Sequence, residues 1–161
     1  MEILLHPNPI LNTKAEPVVD FNDEIKILSD EMVVLTANPD NGLAGISGNQ
    51  VGELKRIFTA HFGYTENGEA TIVTFINPKI TPNKNKGEEY GYEGCASLPM
   101  EYNVKRWKEV NITAQNIHGN EFSLTLSGNM ARVVQHETDH LNGIMLFNKK
   151  SRGMRPKQKA G

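Results

Sequence analysis

Between Asn111 and Gly143 the chain changes its hydrophobic period, and that change constrains the fold more than any other feature. "NITAQNIHGNEFSLTL" alternates apolar and polar residues, the mark of half-buried strands. Its "HGNE" centre, through Gly119 and Asn120, is a hairpin turn signal. From "SGNMARVV" onward the period is helical. Met130, Val133, Val134 and Leu141 share one side, and Gly143 suits a left-handed stop. Earlier, "NDEIKILSDEMVVLTANPD" places Ile25, Leu28, Met32 and Leu35 at helical spacing, with Asn22 or Asp23 as cap and Pro39 as terminator. That stripe is core packing. "KRIFTAHF" and "ATIVTFINP" are β-branched and aromatic, bounded by "GYTENGE" and Pro78, and should pair as strands. "GISGNQVG" is glycine-rich and turn-like. The opening "LLHPNPILNTKAEPVVDF", with Pro7, Pro9 and Pro17, should be an extended arm. Helix, antiparallel strands, helix: the order predicts an α+β domain with antiparallel sheets packed around a C-terminal helix, not βαβ units.

The chain has 161 residues, which suits one domain with an ordinary core. Its net charge of −2 gives no global pull toward DNA or an anionic membrane. No apolar run approaches the length of a membrane span, and the start lacks the features of a signal peptide. With a single cysteine, Cys95, no internal disulfide can form, which fits a reducing compartment. The final "NKKSRGMRPKQKAG" has basic residues and no acid, and is expected to be a solvated, frayed tail. The expected organisation is therefore one catalytic domain over residues 1–148 and a short basic tail over 149–161.

"VVQHETDHLNG" carries the chemistry. Residues four apart on a helix lie one above the other, so His136 and His140 can aim imidazole nitrogens at one ion. Glu137 lies beside them, close enough to reach a water on that ion without ligating it. A buried lone glutamate would be costly without a compensating charge, which a divalent cation supplies. A catalytic site usually wants three protein ligands and one open position. The only cysteine sits in "GYEGCASLP", flanked by Gly91 and Gly94 and followed by Pro99, which reads as a tight loop. A Cys95 thiolate with the two imidazoles makes a Cys-His-His site with a vacant fourth position. The plain alternative is a small buried hydrophobe, as most free cysteines are.

On these residues the chain resembles the peptide deformylases. Gln135-His136-Glu137-Thr138-Asp139-His140-Leu141, with Gly143 behind it, is similar to that family's helix motif. "EGCAS", Glu93 to Ser97, is similar to its cysteine loop, "GISGNQVG" to its glycine-glutamine loop, and "HPNPILNTKAEPV" to its N-terminal arm. The motifs come in the family's order and span nearly the whole chain except the basic tail. The departures are Leu43, Ser47, Gly48 and Ala96, where the family usually has glycine, alanine, alanine and leucine; none replaces a candidate ligand or Gln50. Relatives often continue into a longer C-terminal helix, and no partner role of that helix carries over here.

The resemblance implies a metal-dependent hydrolase that removes the N-formyl group from the initiator methionine of new polypeptides. It implies one divalent ion held by Cys95, His136 and His140, with Fe2+ expected in the cell and Zn2+ or Ni2+ in its place as prepared. By resemblance Glu137 is the general base, and the Gln50 amide and Ala96 backbone N–H face the formyl oxygen. Val133, one turn before Glu137, would wall an apolar methionine pocket, and Gly45 and Gly94 would let a peptide backbone approach. Glu93 would pair with Arg106, Gln135 would brace the cysteine loop, and Asp139 would orient a ligand histidine or stand as a surface acid. The expected partners are N-formyl-Met nascent peptides, with a transient ribosome contact, no DNA and no membrane. A monomer in the cytoplasm is expected, bacterial or phage-encoded in a bacterial host. Two rivals are a zinc peptidase, which leaves Cys95 and the "GISGNQ" loop without purpose, and a structural metal site, which has no use for a base.

Overall fold

The computed structural model describes residues 1–158. Two helices and eight strands follow in order: α1 (Asp23–Ala37), β1 (Gly45–Ser47), β2 (Ile57–Tyr64), β3 (Ala70–Pro82), β4 (Glu88–Glu93), β5 (Met100–Trp107), β6 (Glu109–Gln115), β7 (Glu121–Ser127), α2 (Gly128–Leu141) and β8 (Ser151–Pro156). All strand pairings are antiparallel and form a five-stranded sheet, β1-β2-β3-β6-β7, and a three-stranded sheet, β4-β5-β8. This is the α+β architecture that the change of period predicts. No helix among the described residues is long and apolar enough to cross a membrane.

The five-stranded sheet is covered on both faces, which explains its sequence. Neighbouring residues on β2 and β3 enter different cores. Phe58 and Phe75 pack with Ala131, Val134 and Leu141 of α2, whereas Ile57 and Ile76 pack with Ile25, Leu28 and Met32 of α1. Strands buried on both faces read as near-continuous apolar runs. By contrast β7 at the sheet edge alternates exposed and half-buried residues, as its sequence does. Asn22 caps α1 by accepting the Ile25 N–H, and the chain leaves α2 through Gly143 at φ 73°.

Three expectations are corrected. The arm is extended for most of its length, but Pro9–Asn12 forms one 3-10 turn: Asn8 accepts the Ile10 N–H, and the fixed φ of proline suits the first position of a turn. Pro78 does not end its strand. β3 continues to Pro82 across an irregularity between Ile76 and Lys79, where a proline without a donor is tolerated. The basic tail is not frayed over 151–156: β8 pairs with β5, opposing Glu101 to Arg155 and Tyr102 to Met154. Its arginines pack as well as solvate. Arg152 lies 3.8 Å from the centroid of the Tyr90 ring and Arg155 4.0 Å from that of Tyr92. The end of the tail, 159–161, lies outside the described residues.

At the irregularity Asn77 adopts φ 51°, and its side chain holds both backbone groups of Val18, accepting from N at 2.8 Å and donating to O at 2.8 Å. This clamp ties the N-terminal arm to the main sheet. Asn77→Ala should cost about 2–3 kcal/mol in urea unfolding, because alanine strains in the left-handed region and Val18 loses its partners. Asn77→Gly, which relieves only the strain, should cost less.

Candidate metal centre

Two elements deliver the candidate donors. α2 carries His136 and His140 one turn apart, and the loop between β4 and β5 carries Cys95. The Cys95 Sγ lies 3.4 Å from His140 Nε2, which lies 3.1 Å from His136 Nε2. The donor atoms all fall within 4.8 Å of one another, and all three residues are buried. Gly91, expected beside a tight loop, belongs to β4; Gly94 and Cys95 follow that strand.

The tautomer of His136 follows from its partner. Glu93 Oε1 stands 2.8 Å from His136 Nδ1. Glu93 is fully charged: burial opposes ionisation, but hydrogen bonds from His136 and Arg106 hold the carboxyl well below the usual range. A carboxylate only accepts, so Nδ1 carries a proton and Nε2 is the ring atom turned toward Cys95 and His140. His136 is pushed up to about 10, since its contacts with Cys95 and Glu93 outweigh burial, while burial drives His140 well below its ordinary value. Two imidazoles and one thiol converging on one buried point therefore fit a divalent cation.

Glu137 has the opposite surroundings to Glu93. It is buried, its Oε2 has no hydrogen-bond partner, and burial pushes it up to about 7 against the pull of His136. A Cβ on Gly45 would lie 2.9 Å from Glu137 Oε1 and 2.9 Å from the Thr59 carbonyl, so β1 approaches the glutamate closely only because residue 45 has no side chain. Gln50 stands in the 3-10 turn Asn49–Val51 after β1. Its Oε1 accepts from the Ser47 N–H and hydroxyl at 3.1 and 3.2 Å, which turns Nε2 toward Ser97 Oγ at 3.1 Å and Cys95 Sγ at 3.5 Å.

Gly45, Gln50, Gly94, Cys95, Ala96, Val133, His136 and Glu137 line one cleft of about 460 Å³ between the two sheets. His140 sits behind it, 1% exposed. Leu43 and Arg132 also line the cleft. Glu93 pairs with Arg106 through two contacts of 2.9 Å. Asp139 reaches the same arginine and Lys149, so it acts on His136 at two removes. Gln135 does not brace the cysteine loop. It clamps the end of β5 by accepting the Trp107 N–H at 3.0 Å and donating to the Trp107 carbonyl at 2.9 Å. Sequence reasoning missed Ser47, Ser97 and Arg132. "EGCAS" contains Ser97, but nothing local signals that its partner is Gln50, 47 residues away.

A soft donor from a loop, two histidines from a helix, and an unpaired glutamate facing a cleft together form the arrangement of a metal-dependent hydrolase. Comparison with known proteins makes this specific: the chain belongs to the polypeptide deformylase family, whose description matches residues 1–156. This family removes the N-formyl group from nascent polypeptides. Peptide deformylase 1 of Clostridium perfringens is 41% identical over 140 residues, spanning 86% of this chain and 90% of that protein. The peptide deformylase of Rhodopirellula baltica is 38% identical over 151 residues, 92% of this chain and 72% of that one. The crystal structure of a probable peptide deformylase from Synechococcus phage S-SSM7 superposes with a TM-score of 0.83 at 32% identity, covering 93% of this chain and 99% of that chain.

The Glu93–Arg106 pair is the electrostatic support of this centre, and its stability should depend on pH with a definite sign. Its contribution is present above the ordinary carboxylate range and is lost as pH falls from there toward the depressed folded value of Glu93. Arg106→Met should destabilise by about 3–5 kcal/mol at neutral pH, because it leaves a buried charge undercompensated. Urea unfolding from pH 7 to pH 3 should show a shallower pH dependence for the variant than for the parent.

Proposed function

We propose that Cys95, His136 and His140 hold one divalent ion and that Glu137 is the base for hydrolysis of the formamide of N-formyl-Met peptides. One observation carries this reading: the only buried carboxylate oxygen without a partner among the described residues belongs to Glu137, which lines the same cleft as Cys95 and His136, with the third converging donor, His140, directly behind. When bound, the ion supplies Lewis acidity, polarising the formyl carbonyl and lowering the pKa of water. Every other role falls to the chain. Glu137 takes a proton from the attacking water and delivers it to the departing nitrogen, giving formate and a free amine. A group near 7 suits both transfers. The Gln50 amide, oriented by Ser47, and the backbone N–H of Ala96 stabilise the charge that grows on the formyl oxygen, each worth about 3 kcal/mol. Val133 walls the methionine side chain, and Gly45 and Gly94 leave room for the peptide backbone.

The resemblance to the family implies Fe2+ as the cellular ion, with Zn2+ or Ni2+ able to replace it, and imidazole accommodates all three. The same reading assigns residues 1–148 as one catalytic domain, to whose smaller sheet the short basic segment that follows adds β8. It also assigns cytoplasmic action by a monomer on nascent chains, in transient contact with the ribosome, in a bacterium or a phage-infected host.

Formate release from N-formyl-Met peptides by metal-loaded protein tests the reaction. Acetyl-Met peptides should react poorly; equal rates on both, or cleavage of internal peptide bonds, would overturn it. Glu137→Gln should keep the fold and near-parent metal stoichiometry while activity drops by about ten-thousandfold. Loss of the metal would instead make Glu137 a ligand. Cys95→Ser, a hard donor for a soft one, should weaken metal binding or change metal preference and lose most activity.

A further inference from the structure

Arg132 is used by none of the steps above, yet it is deeply engaged. It stands on α2 one turn before His136, so Arg132, His136 and His140 form one stripe at four-residue spacing. Its side chain is 14% exposed, and its guanidinium makes three contacts with the small sheet. Nη1 donates to Glu93 Oε2 at 2.6 Å and to the Val104 carbonyl at 3.1 Å, and Nη2 donates to the Glu89 carbonyl at 3.0 Å. Glu93 is thereby divided between its two oxygens. Oε1 accepts from His136 Nδ1 and Arg106 Nη2; Oε2 accepts from Arg106 Nε and Arg132 Nη1. Arg106 alone could pivot the carboxylate about a single fork. A second guanidinium, from the helix that also carries His136, fixes the plane of the carboxylate relative to the imidazole.

The sequence makes room for this contact. A Cβ at Gly91 would lie 3.0 Å from both Cζ and Nη2 of Arg132, so any side chain there would push the guanidinium off β4 by a few tenths of an ångström. Glu89 and Glu93, which accept from Arg132, stand two residues either side of it on the same face of β4.

We infer that Arg132 is a positioning residue: it locks Glu93, and through Glu93 the orientation of His136, with Gly91 as the space it requires. The inference rests on the reading of Cys95, His136 and His140 as metal donors. Outer-sphere partners of ligating histidines typically contribute tenfold to a hundredfold in metal affinity.

The test measures transfer of Zn2+ from the metal-loaded protein to a chromophoric chelator, alongside thermal unfolding of each variant. Arg132→Met keeps length and helix propensity but removes the fork; its Zn2+ affinity should fall about tenfold to hundredfold. Gly91→Ala leaves Arg132 in the sequence but displaces its guanidinium, and should weaken Zn2+ binding in the same direction by a smaller factor. Arg132→Lys should recover only part of the loss, because an ammonium cannot reach three acceptors in one plane. Arg152→Ala, which touches Tyr90 on the far side of the sheet, should bind like the parent. If Arg132→Met fails to fold, the Gly91→Ala and Arg132→Lys affinities decide. Zn2+ affinities within twofold of the parent in these variants, or an equal loss in Arg152→Ala, would overturn the inference. A parent that binds no Zn2+ would instead overturn the donor assignment beneath it.

Discussion

The buried carboxylate of Glu93 is the constraint from which the site's geometry follows. An ionised carboxylate in a protein interior is tolerated only when charged and hydrogen-bonding partners surround it. Here those partners come from separate elements: Arg106 from β5, and Arg132 and His136 from α2. Satisfying one charge therefore fixes the small sheet against the central helix. Cys95 lies two residues beyond Glu93, so the same junction sets where the thiol meets the histidines. Asp139 and Lys149 extend the pattern outward through Arg106, alternating in sign toward solvent.

Two glutamates close in space are thus given opposite chemistry by their surroundings alone. Glu93 has every lone pair engaged and stays charged. Glu137 has an oxygen with no partner and sits near neutrality. Environment-driven separation of two carboxyl groups lets one act in proton transfer while the other holds structure. The fold provides it by laying α2 between two sheets. The helix side toward β4 and β5 carries Arg132 and meets Arg106, and the side toward β1 meets a glycine and bare backbone.

The parts legible in the sequence are those whose signal is local. α1, α2 and the β6–β7 hairpin each announce themselves within one period of the helix or strand. The candidate donors were legible because two share one helix and the chain has only one cysteine. β4, β5 and β8 were not legible. β5 buries Val104 and Arg106 on one face, and an arginine at an inward position breaks the apolar alternation that marks a strand. β8 reads as a charged tail because its arginines spend their packing on Tyr90 and Tyr92, where the methylenes and guanidinium planes act as apolar surface. The role of Arg132 depends on partners some forty residues distant, and no spacing rule reaches that far.

The close approach of β1 to Glu137 has an evolutionary consequence. Every amino acid except glycine begins with a Cβ, and at position 45 that one atom meets both the glutamate and the Thr59 carbonyl. The obstacle is the same for the smallest substitution as for the largest, so no graded series of replacements leads away from glycine. Leu43, two residues earlier on the same rim, has open cleft beside it and can vary in size by small steps. Diversification of the cleft is therefore channelled: the rim can drift, while the residue against Glu137 is held until the backbone of β1 itself moves.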